Sequence, residues 1–196
     1  MGRVVVGRSS LPGAVTPGLS SPPRVSSQSI GFGYETVKFG LQDAMLCGGA
    51  DEYDTTTVAV FDNLLACSTE FNDTPHLTPR PFDVKRDGLV VGEGAGALLL
   101  EEYEHARKRG ARILGEVIGF SCTNNGGDLI LPNGAGITRT LKLALEEAAI
   151  APGAVDFISA HATATKMGDV VEAQAIGGVY GDGPVVAGLK SYMGHT

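Results

Sequence analysis

Short apolar runs alternate with segments of helical periodicity along most of this chain, and this alternation limits the folds that it can adopt. Apolar side chains recur at helical spacing at Ile30, Tyr34, Val37 and Leu41, and Gly40 is expected to end this helix. The run Ala44–Cys47 follows directly and predicts a short buried strand. The same alternation continues as far as the run Val185–Leu189. Strands that alternate with helices indicate an α/β fold with a largely buried sheet.

The same patterns predict the remaining elements. Further helices are expected over Thr57–Cys67, Glu101–Arg109, Ile137–Ala148 and Val171–Val179. Further strands are expected over Gly88–Leu100, Ile113–Phe120, Val155–Ala160 and Val185–Leu189. The proline-rich segment Phe71–Arg86 predicts a long loop, and loops of that length are often functional.

The first residues of the chain differ in composition from the rest. Residues 1–34 contain Arg3, Arg8 and Arg24 and no acidic residue, although acidic residues outnumber basic ones in the whole chain, 22 to 15. The pair Pro22–Pro23 excludes a continuous helix there. We interpret residues 1–25 as a largely disordered or foreign leader. An organelle transit peptide is an alternative that the prolines disfavour, because such peptides form amphipathic helices.

Charge, cysteine content and hydropathy exclude several functional classes. A net charge of −7 argues against a general nucleic-acid-binding surface. The three cysteines are an odd number and none forms a C-x-x-C pair, so neither a disulfide framework nor a zinc knuckle is predicted. A reducing compartment fits best, and we expect a cytoplasmic protein. The apolar runs are far shorter than the roughly 18 residues that a membrane span requires, so none is predicted.

Two predicted strands each lead to a histidine. His161 directly follows the strand Val155–Ala160, and Lys190 and His195 follow the strand Val185–Leu189. Open α/β sheets bind their ligands at the carboxyl ends of parallel strands. Two imidazoles at that edge could converge on one oxygen atom and stabilise a developing enolate or oxyanion, and a nearby lysine would add positive potential. A structural histidine in a threonine-rich turn explains the first of these two patterns equally well.

Four polar residues after the first histidine have more than one interpretation. Thr163 and Thr165 offer hydroxyls to a polar ligand. Asp169 and Glu172 have the D-x-x-E spacing of a capping-box variant, and we place that structural role above catalysis. A metal site made of the two histidines and one of these acids is conceivable but less favoured, because no local ligand spacing supports it.

Other residues that could carry chemistry have simpler explanations. Cys47 lies in an apolar strand and Cys67 on the core side of a predicted helix, where an inert thiol is the usual outcome. Cys122 opens a loop and is expected to be more exposed. The glycine-rich run Gly92–Gly96 is not followed by a predicted helix, as a dinucleotide-binding loop requires, and predicts close backbone packing. His105 is interpreted as a solvated residue on a charged helix.

Several motifs stand in a fixed order over about residues 26–196. They are Gly31–Tyr34 and Gly49–Glu52, then Pro81–Asp83, Arg86–Gly88 and Gly92–Gly96, then His161–Thr165 with Gly168, Asp169 and Glu172, and finally Lys190, Ser191, Gly194 and His195. In type and order they resemble the β-ketoacyl-acyl-carrier-protein synthases, the condensing enzymes of fatty-acid and polyketide synthesis. The resemblance implies a thiolase-like α/β fold that is incomplete, with the end of its first half in residues 26–110 and the start of its second half in residues 111–196.

The resemblance also assigns roles to the candidate residues. His161 and His195 would hold the carbonyl of a malonyl thioester while carbon dioxide leaves, with Lys190 close by. Two threonines, Thr163 and Thr165, would contact the pantetheine arm. Two acids, Asp169 and Glu172, would brace the site. Acyl carrier protein is the implied partner, a homodimer or a synthase heterodimer is a further possibility, and neither a cofactor nor a metal is implied.

Three features of the chain depart from the family pattern. Ala162 stands where the family motif commonly has glycine. The family's acyl-accepting cysteine aligns at about Pro23, and no cysteine precedes Cys47. The chain also stops directly after the second histidine, so the resemblance predicts an internal fragment without condensation activity. A non-catalytic partner subunit, like the chain-length factors that pair with an active synthase, is the alternative, which the retained histidines and Lys190 disfavour.

Overall fold

The computed structural model describes residues 2–7, 25–124, 126–127 and 131–196. Its strands are β1 (Val4–Gly7), β2 (Ala44–Asp51), β3 (Gly94–Glu102), β4 (Ile113–Val117), β5 (Phe157–Ser159) and β6 (Val185–Ala187). Its helices are α1 (Val25–Lys38), α2 (Thr55–Asn63), α3 (Tyr103–Lys108), α4 (Gly134–Ala148), α5 (Lys166–Tyr180) and α6 (Lys190–Met193). The chain divides into two compact units, the first made of residues 1–51 and 95–122 and the second of residues 52–94 and 123–196.

The first unit contains a four-stranded sheet with the strand order β2-β3-β1-β4. Strand β1 is interior and pairs antiparallel with β3 and with β4. Val4 and Val5 are each only 1% exposed. The expectation of a disordered leader is therefore wrong for β1, because a run of β-branched residues fits the interior of a sheet. Residues 8–24 lie outside the described residues, and the division at residue 110 stays a prediction.

Helix α1 covers the sheet of the first unit with the face that its periodicity predicts. Tyr34 and Val37 are buried in one cluster with side chains of three strands, namely Val4, Met45, Cys47 and Leu100. Gly40 has a φ of +72° just beyond the helix end, a conformation that favours glycine. Leu41, which the periodicity placed on the same face, lies past this end and is 71% exposed.

A buried carboxylate joins β3 to the helix that follows it. Glu101 was predicted to lie on a charged surface helix, but it belongs to β3 and is fully buried. Its two oxygens accept hydrogen bonds from Arg109 at 2.8 and 2.7 Å, and His105 Nδ1 lies 2.6 Å from Oε1. The His105 side chain is 42% exposed, as expected of a residue on a charged helix, but it also contacts this buried carboxylate, which the sequence did not predict. The hydrogen bonds from Arg109, and then those from His105, hold the pKa of Glu101 below its ordinary value despite burial.

The second unit holds a parallel pair of strands and a helical layer. Phe157, Ile158 and Ser159 of β5 lie opposite Val185, Val186 and Ala187 of β6. Ile158 packs against the buried cluster of Ala160, Ala162 and Ile176, whereas Phe157 is 55% and Val185 66% exposed. The prediction of buried strands is thus wrong for these two side chains, which face the side that the described residues leave uncovered. It is also wrong for Val186, which is 38% exposed. No helix among the described residues is long and apolar enough to cross a membrane.

We predict that Glu101→Gln lowers the free energy of unfolding at neutral pH by about 3 kcal/mol, because it removes one charge of a buried ion pair. The stabilisation by ionised Glu101 is present above the ordinary titration range of a glutamate and is lost as pH falls through its lowered folded-state pKa. Urea unfolding at neutral and acid pH should therefore show a difference between variant and wild type that shrinks in acid. Glu104→Gln, which removes an exposed pair with Arg107, is the control and should change little. An equal loss in the two variants would contradict the prediction.

Candidate active site

The two histidines reach one site through the parallel strands of the second unit. Ala160 continues the pairing after β5, since its N–H donates to the Ala187 carbonyl at 2.9 Å. His161 therefore leaves the sheet at the same edge as the segment that leads through α6 to His195. Their rings lie edge to face, with centroids 5.7 Å apart and planes at 81°. The structure thus brings these residues together, as expected from strand ends that share an edge.

The backbone of His195 is held by a glycine-rich segment of the same unit. The His195 N–H donates to the Val90 carbonyl at 2.7 Å, and the Gly92 N–H donates to the His195 carbonyl at 2.9 Å. A side chain at Gly92 would collide with the Met193 carbonyl, so the prediction of close backbone packing is confirmed there. These contacts fix the position of an imidazole that is only 9% exposed.

An aromatic residue that the sequence analysis did not single out also belongs to the site. The Phe61 ring lies with its centroid 5.2 Å from that of His195, at an angle of 54°. Helix α2 presents this ring, and it ends at Asn63 rather than at Cys67, because Leu65 has a φ of +52° and Cys67 forms a bridge to Leu89. Phe61 belongs to none of the sequence motifs, so its contact with His195 is visible only in the folded structure.

The loop between β5 and α5 contains two strained alanines. Ala162 has a φ of +44° and Ala164 a φ of +65°, and both residues are fully buried. Left-handed backbone costs a residue with a Cβ about 1–2 kcal/mol, so such a loop persists only where its surroundings fix it. Ala162, which departs from the family's usual glycine, nevertheless adopts a conformation that glycine adopts readily.

Two carboxylates on α5 bind the backbone of this loop. Glu172 accepts hydrogen bonds from the N–H groups of His161 and Ala162 at 2.7 and 2.8 Å. Asp169, which is 1% exposed, accepts from Ala164 at 3.0 Å and from Phe82 at 2.7 Å. The capping-box geometry is not formed, because the amides that these acids bind lie outside their own helix and the N-cap residue of α5 makes no capping hydrogen bond with its side chain. The contacts that both acids make are nevertheless structural, with backbone N–H groups.

The remaining predicted residues line the same loop and the start of α6. The hydroxyls of Thr163 and Thr165 lie 3.0 Å apart, and both residues are half-buried. Lys190 is the first residue of α6. Burial lowers the pKa of Lys190, and the negative charge of Glu172 opposes that shift. The pKa of Lys190 therefore depends on the same carboxylate that holds the His161 loop.

The cysteines do not provide an obvious nucleophile. Cys47 is 3% exposed in the core of the first unit, and burial raises the pKa of its thiol. Burial, with the nearby charge of Asp62, also raises the pKa of Cys67. Cys122 is exposed, as expected. Pro23, the position at which the family's cysteine aligns, lies outside the described residues. No cluster of three or more metal-binding side chains is found within the described ranges.

Family models match nearly the whole chain from α1 onward. Residues 26–106 match the N-terminal domain of β-ketoacyl synthases, and residues 114–196 match the C-terminal domain. The chain belongs to the β-ketoacyl synthase family. It is 38% identical over 179 residues to 3-oxoacyl-[acyl-carrier-protein] synthase 1 of Haemophilus influenzae, an alignment that covers 91% of this chain and 43% of that relative.

Solved structures of β-ketoacyl synthases have the same fold. A β-ketoacyl synthase from Burkholderia phymatum matches 87% of this chain and 42% of its own with a TM-score of 0.85 and 51% identity. The AntDE:AntF complex, a type II polyketide ketosynthase bound to its acyl-carrier protein, matches 87% of this chain and 43% of its own with a TM-score of 0.82 and 35% identity. The structure is thus a partial thiolase-like fold, as the motifs predicted. The chain spans less than half the length of these relatives.

We predict that Glu172→Gln lowers the pKa of Lys190 further, because the variant loses a negative charge that opposes the effect of burial. The pKa is measured by NMR titration of the lysine side-chain carbon next to Nζ. Glu70→Gln is the control, since Glu70 lies 3.5 Å from Lys166 instead. A Lys190 pKa that is unchanged or raised in Glu172→Gln would contradict this assignment.

Proposed function

We propose that this chain carries the decarboxylating histidine pair of a 3-oxoacyl-acyl-carrier-protein synthase, an enzyme whose full reaction joins an acyl thioester to malonyl-acyl-carrier protein by decarboxylative Claisen condensation. The histidine pair carries this proposal. The reaction needs a site that stabilises negative charge on a thioester oxygen as carbon dioxide leaves. His161 and His195 offer that site in the second unit.

The separation of the two rings suits a shared oxygen atom. A hydrogen bond of about 2.8 Å added to the distance from ring centre to nitrogen puts an acceptor about 4 Å from each centroid. Two rings can therefore share one acceptor when their centroids are less than about 8 Å apart, and these are 5.7 Å apart. Donors fixed beforehand at the place where charge develops lower the barrier, because they need not reorganise during the reaction.

The chemistry at this pair is the loss of carbon dioxide from a malonyl thioester. The bond between the α-carbon and the carboxylate breaks, carbon dioxide departs, and the bonding electrons pass into the enolate of the thioester. His161 and His195 donate hydrogen bonds to the enolate oxygen. In condensation the α-carbon then attacks the carbonyl carbon of an acyl thioester, a carbon–carbon bond forms, and the acyl carbon–sulfur bond breaks to release the thiolate. Where no acyl thioester is present, the α-carbon takes a proton from water, and an acetyl thioester and hydroxide result.

The neighbouring polar residues fit a substrate that a pantetheine arm delivers. Thr163 and Thr165 supply adjacent hydroxyls on the His161 loop, and they would contact the amide groups of such an arm. Lys190 would add positive potential for the malonyl carboxylate. One solved relative is a ketosynthase in complex with an acyl-carrier protein, which supports the same kind of partner here.

Condensation also needs a thiol that accepts the acyl group, and this chain offers no suitable one. Burial raises the pKa of both Cys47 and Cys67, and a thiol that stays protonated is a poor nucleophile. Cys122 is exposed and lies 3.5 Å from the Gln28 amide nitrogen, without a basic partner at its sulfur among the described contacts. The decarboxylation step is therefore the part of the reaction that the residues of this chain support.

We predict that the purified chain, incubated with an acyl- and a malonyl-carrier protein, forms no 3-oxoacyl product. The physical reason is that no thiol accepts the acyl group. Mass spectrometry of the carrier protein measures the product directly, with a full-length synthase as the positive control. Any 3-oxoacyl-carrier protein above background would show that an acyl acceptor is present after all.

We further predict that the chain slowly converts malonyl-carrier protein to acetyl-carrier protein, and that His161→Ala or His195→Ala lowers this rate about a hundredfold. His76→Ala is the control, because His76 lies in an exposed turn, Pro75–Leu77, away from the pair. The ratio of acetyl to malonyl carrier protein over time gives the rate. Equal rates in all three variants would refute the role of the histidine pair.

A further inference from the structure

The two ends of the strained loop are held by different groups. Glu172 binds the amides at the His161 end, whereas Asp169 binds the amide of Ala164 near the end that enters α5. Asp169 also accepts the Phe82 N–H, so one carboxylate joins the loop to the proline-rich segment before β3. The position of Thr163 and Thr165 therefore depends on what fixes Asp169.

Asp169 needs a cation because it is buried. Its side chain is 1% exposed, and a carboxylate removed from water is costly unless it is hydrogen-bonded and paired. Arg86 supplies the pair, with Nε 3.7 Å from Oδ2 and a side chain that is 14% exposed. Within the described ranges, no other lysine or arginine forms an ion pair with Asp169.

Arg86 also binds the backbone on both sides of the junction. Its Nε donates to the Thr165 carbonyl at 3.1 Å, and its Nη2 donates to the carbonyl of Lys166, the first residue of α5. Its Nη1 donates to the Asp83 carbonyl at 2.9 Å, within its own segment. One planar guanidinium thus makes three backbone contacts that a lysine, with its single nitrogen, has no means to reproduce together.

From these contacts we infer that Arg86 is a positioning residue of the active site. It fixes the Thr165 end of the loop and so sets where Thr163 and Thr165 meet the substrate, an inference that rests on the proposed function. The backbone of His195 is held by other hydrogen bonds, with Val90 and Gly92. Loss of the guanidinium therefore weakens substrate binding more than it slows decarboxylation.

Two variants and a matched control test this inference. Arg86→Lys keeps the positive charge but removes the planar guanidinium with its several N–H donors. Arg86→Gln removes both the charge and the guanidinium. Arg80→Lys is the control, because Arg80 lies in the same segment and pairs with Asp83 at 3.0 Å, and no hydrogen bond or ion pair among the described residues joins it to the His161 loop. Amide hydrogen exchange is followed by NMR for Ala164 and Phe82, with amides of α4 as the internal reference. KM and kcat for malonyl-carrier protein are measured on the same samples.

We expect Arg86→Lys to speed exchange at Ala164 and Phe82 about tenfold and to raise KM about tenfold with kcat nearly unchanged, since a hydrogen bond from a charged group is lost. Arg86→Gln should speed exchange and raise KM further, and Arg80→Lys should match the wild type.

Wild-type exchange at both amides in the two Arg86 variants would overturn the inference, and so would an equal fall in kcat with KM unchanged. Uniformly faster exchange, or loss of the fold in both, would assign Arg86 to global stability instead. If the wild-type chain does not decarboxylate malonyl-carrier protein, the proposed function is refuted. The hydrogen-exchange data still decide whether Arg86 holds the loop.

Discussion

The loop that carries His161 depends on two carboxylates that bind its amides from the neighbouring helix. Without Glu172 and Asp169, the left-handed backbone at Ala162 and Ala164 would have no compensation, and the chain would relax to a more extended path. The imidazole would then leave the position that faces its partner. Two acids that look like helix-capping residues in the sequence therefore determine the geometry of the site.

Electrostatics connects this backbone support to the reacting groups. Glu172 holds the amides of the loop and also opposes the fall in the pKa of Lys190. Asp169 is neutralised by Arg86, which in turn binds the start of α5. Each acid thus has a structural partner and a charged partner. Replacing either acid would alter the shape of the loop together with the charge distribution around it.

The sequence was informative where a pattern is local and less so where a contact joins distant segments. Helical spacing placed Tyr34 and Val37 in the core, and the strand ends placed His161 and His195 at one edge. The contacts of Phe61, Arg86 and Glu101 were not foreseen, because each joins residues that only the folded chain brings together. Strand β1 was missed because its short valine run stands in a segment of atypical composition.

Gly188 marks a point where three parts of the second unit leave no room for a methyl group. A Cβ at this position would lie 2.8 Å from that of Ala162 and 2.9 Å from that of Pro81. The His161 loop, the proline-rich segment and the turn after β6 are thus in steric contact at one place. A larger residue at position 188 would push at least one of these segments away from the others. Because one of them carries His161, the size of the residue at position 188 limits the shape that the site can take.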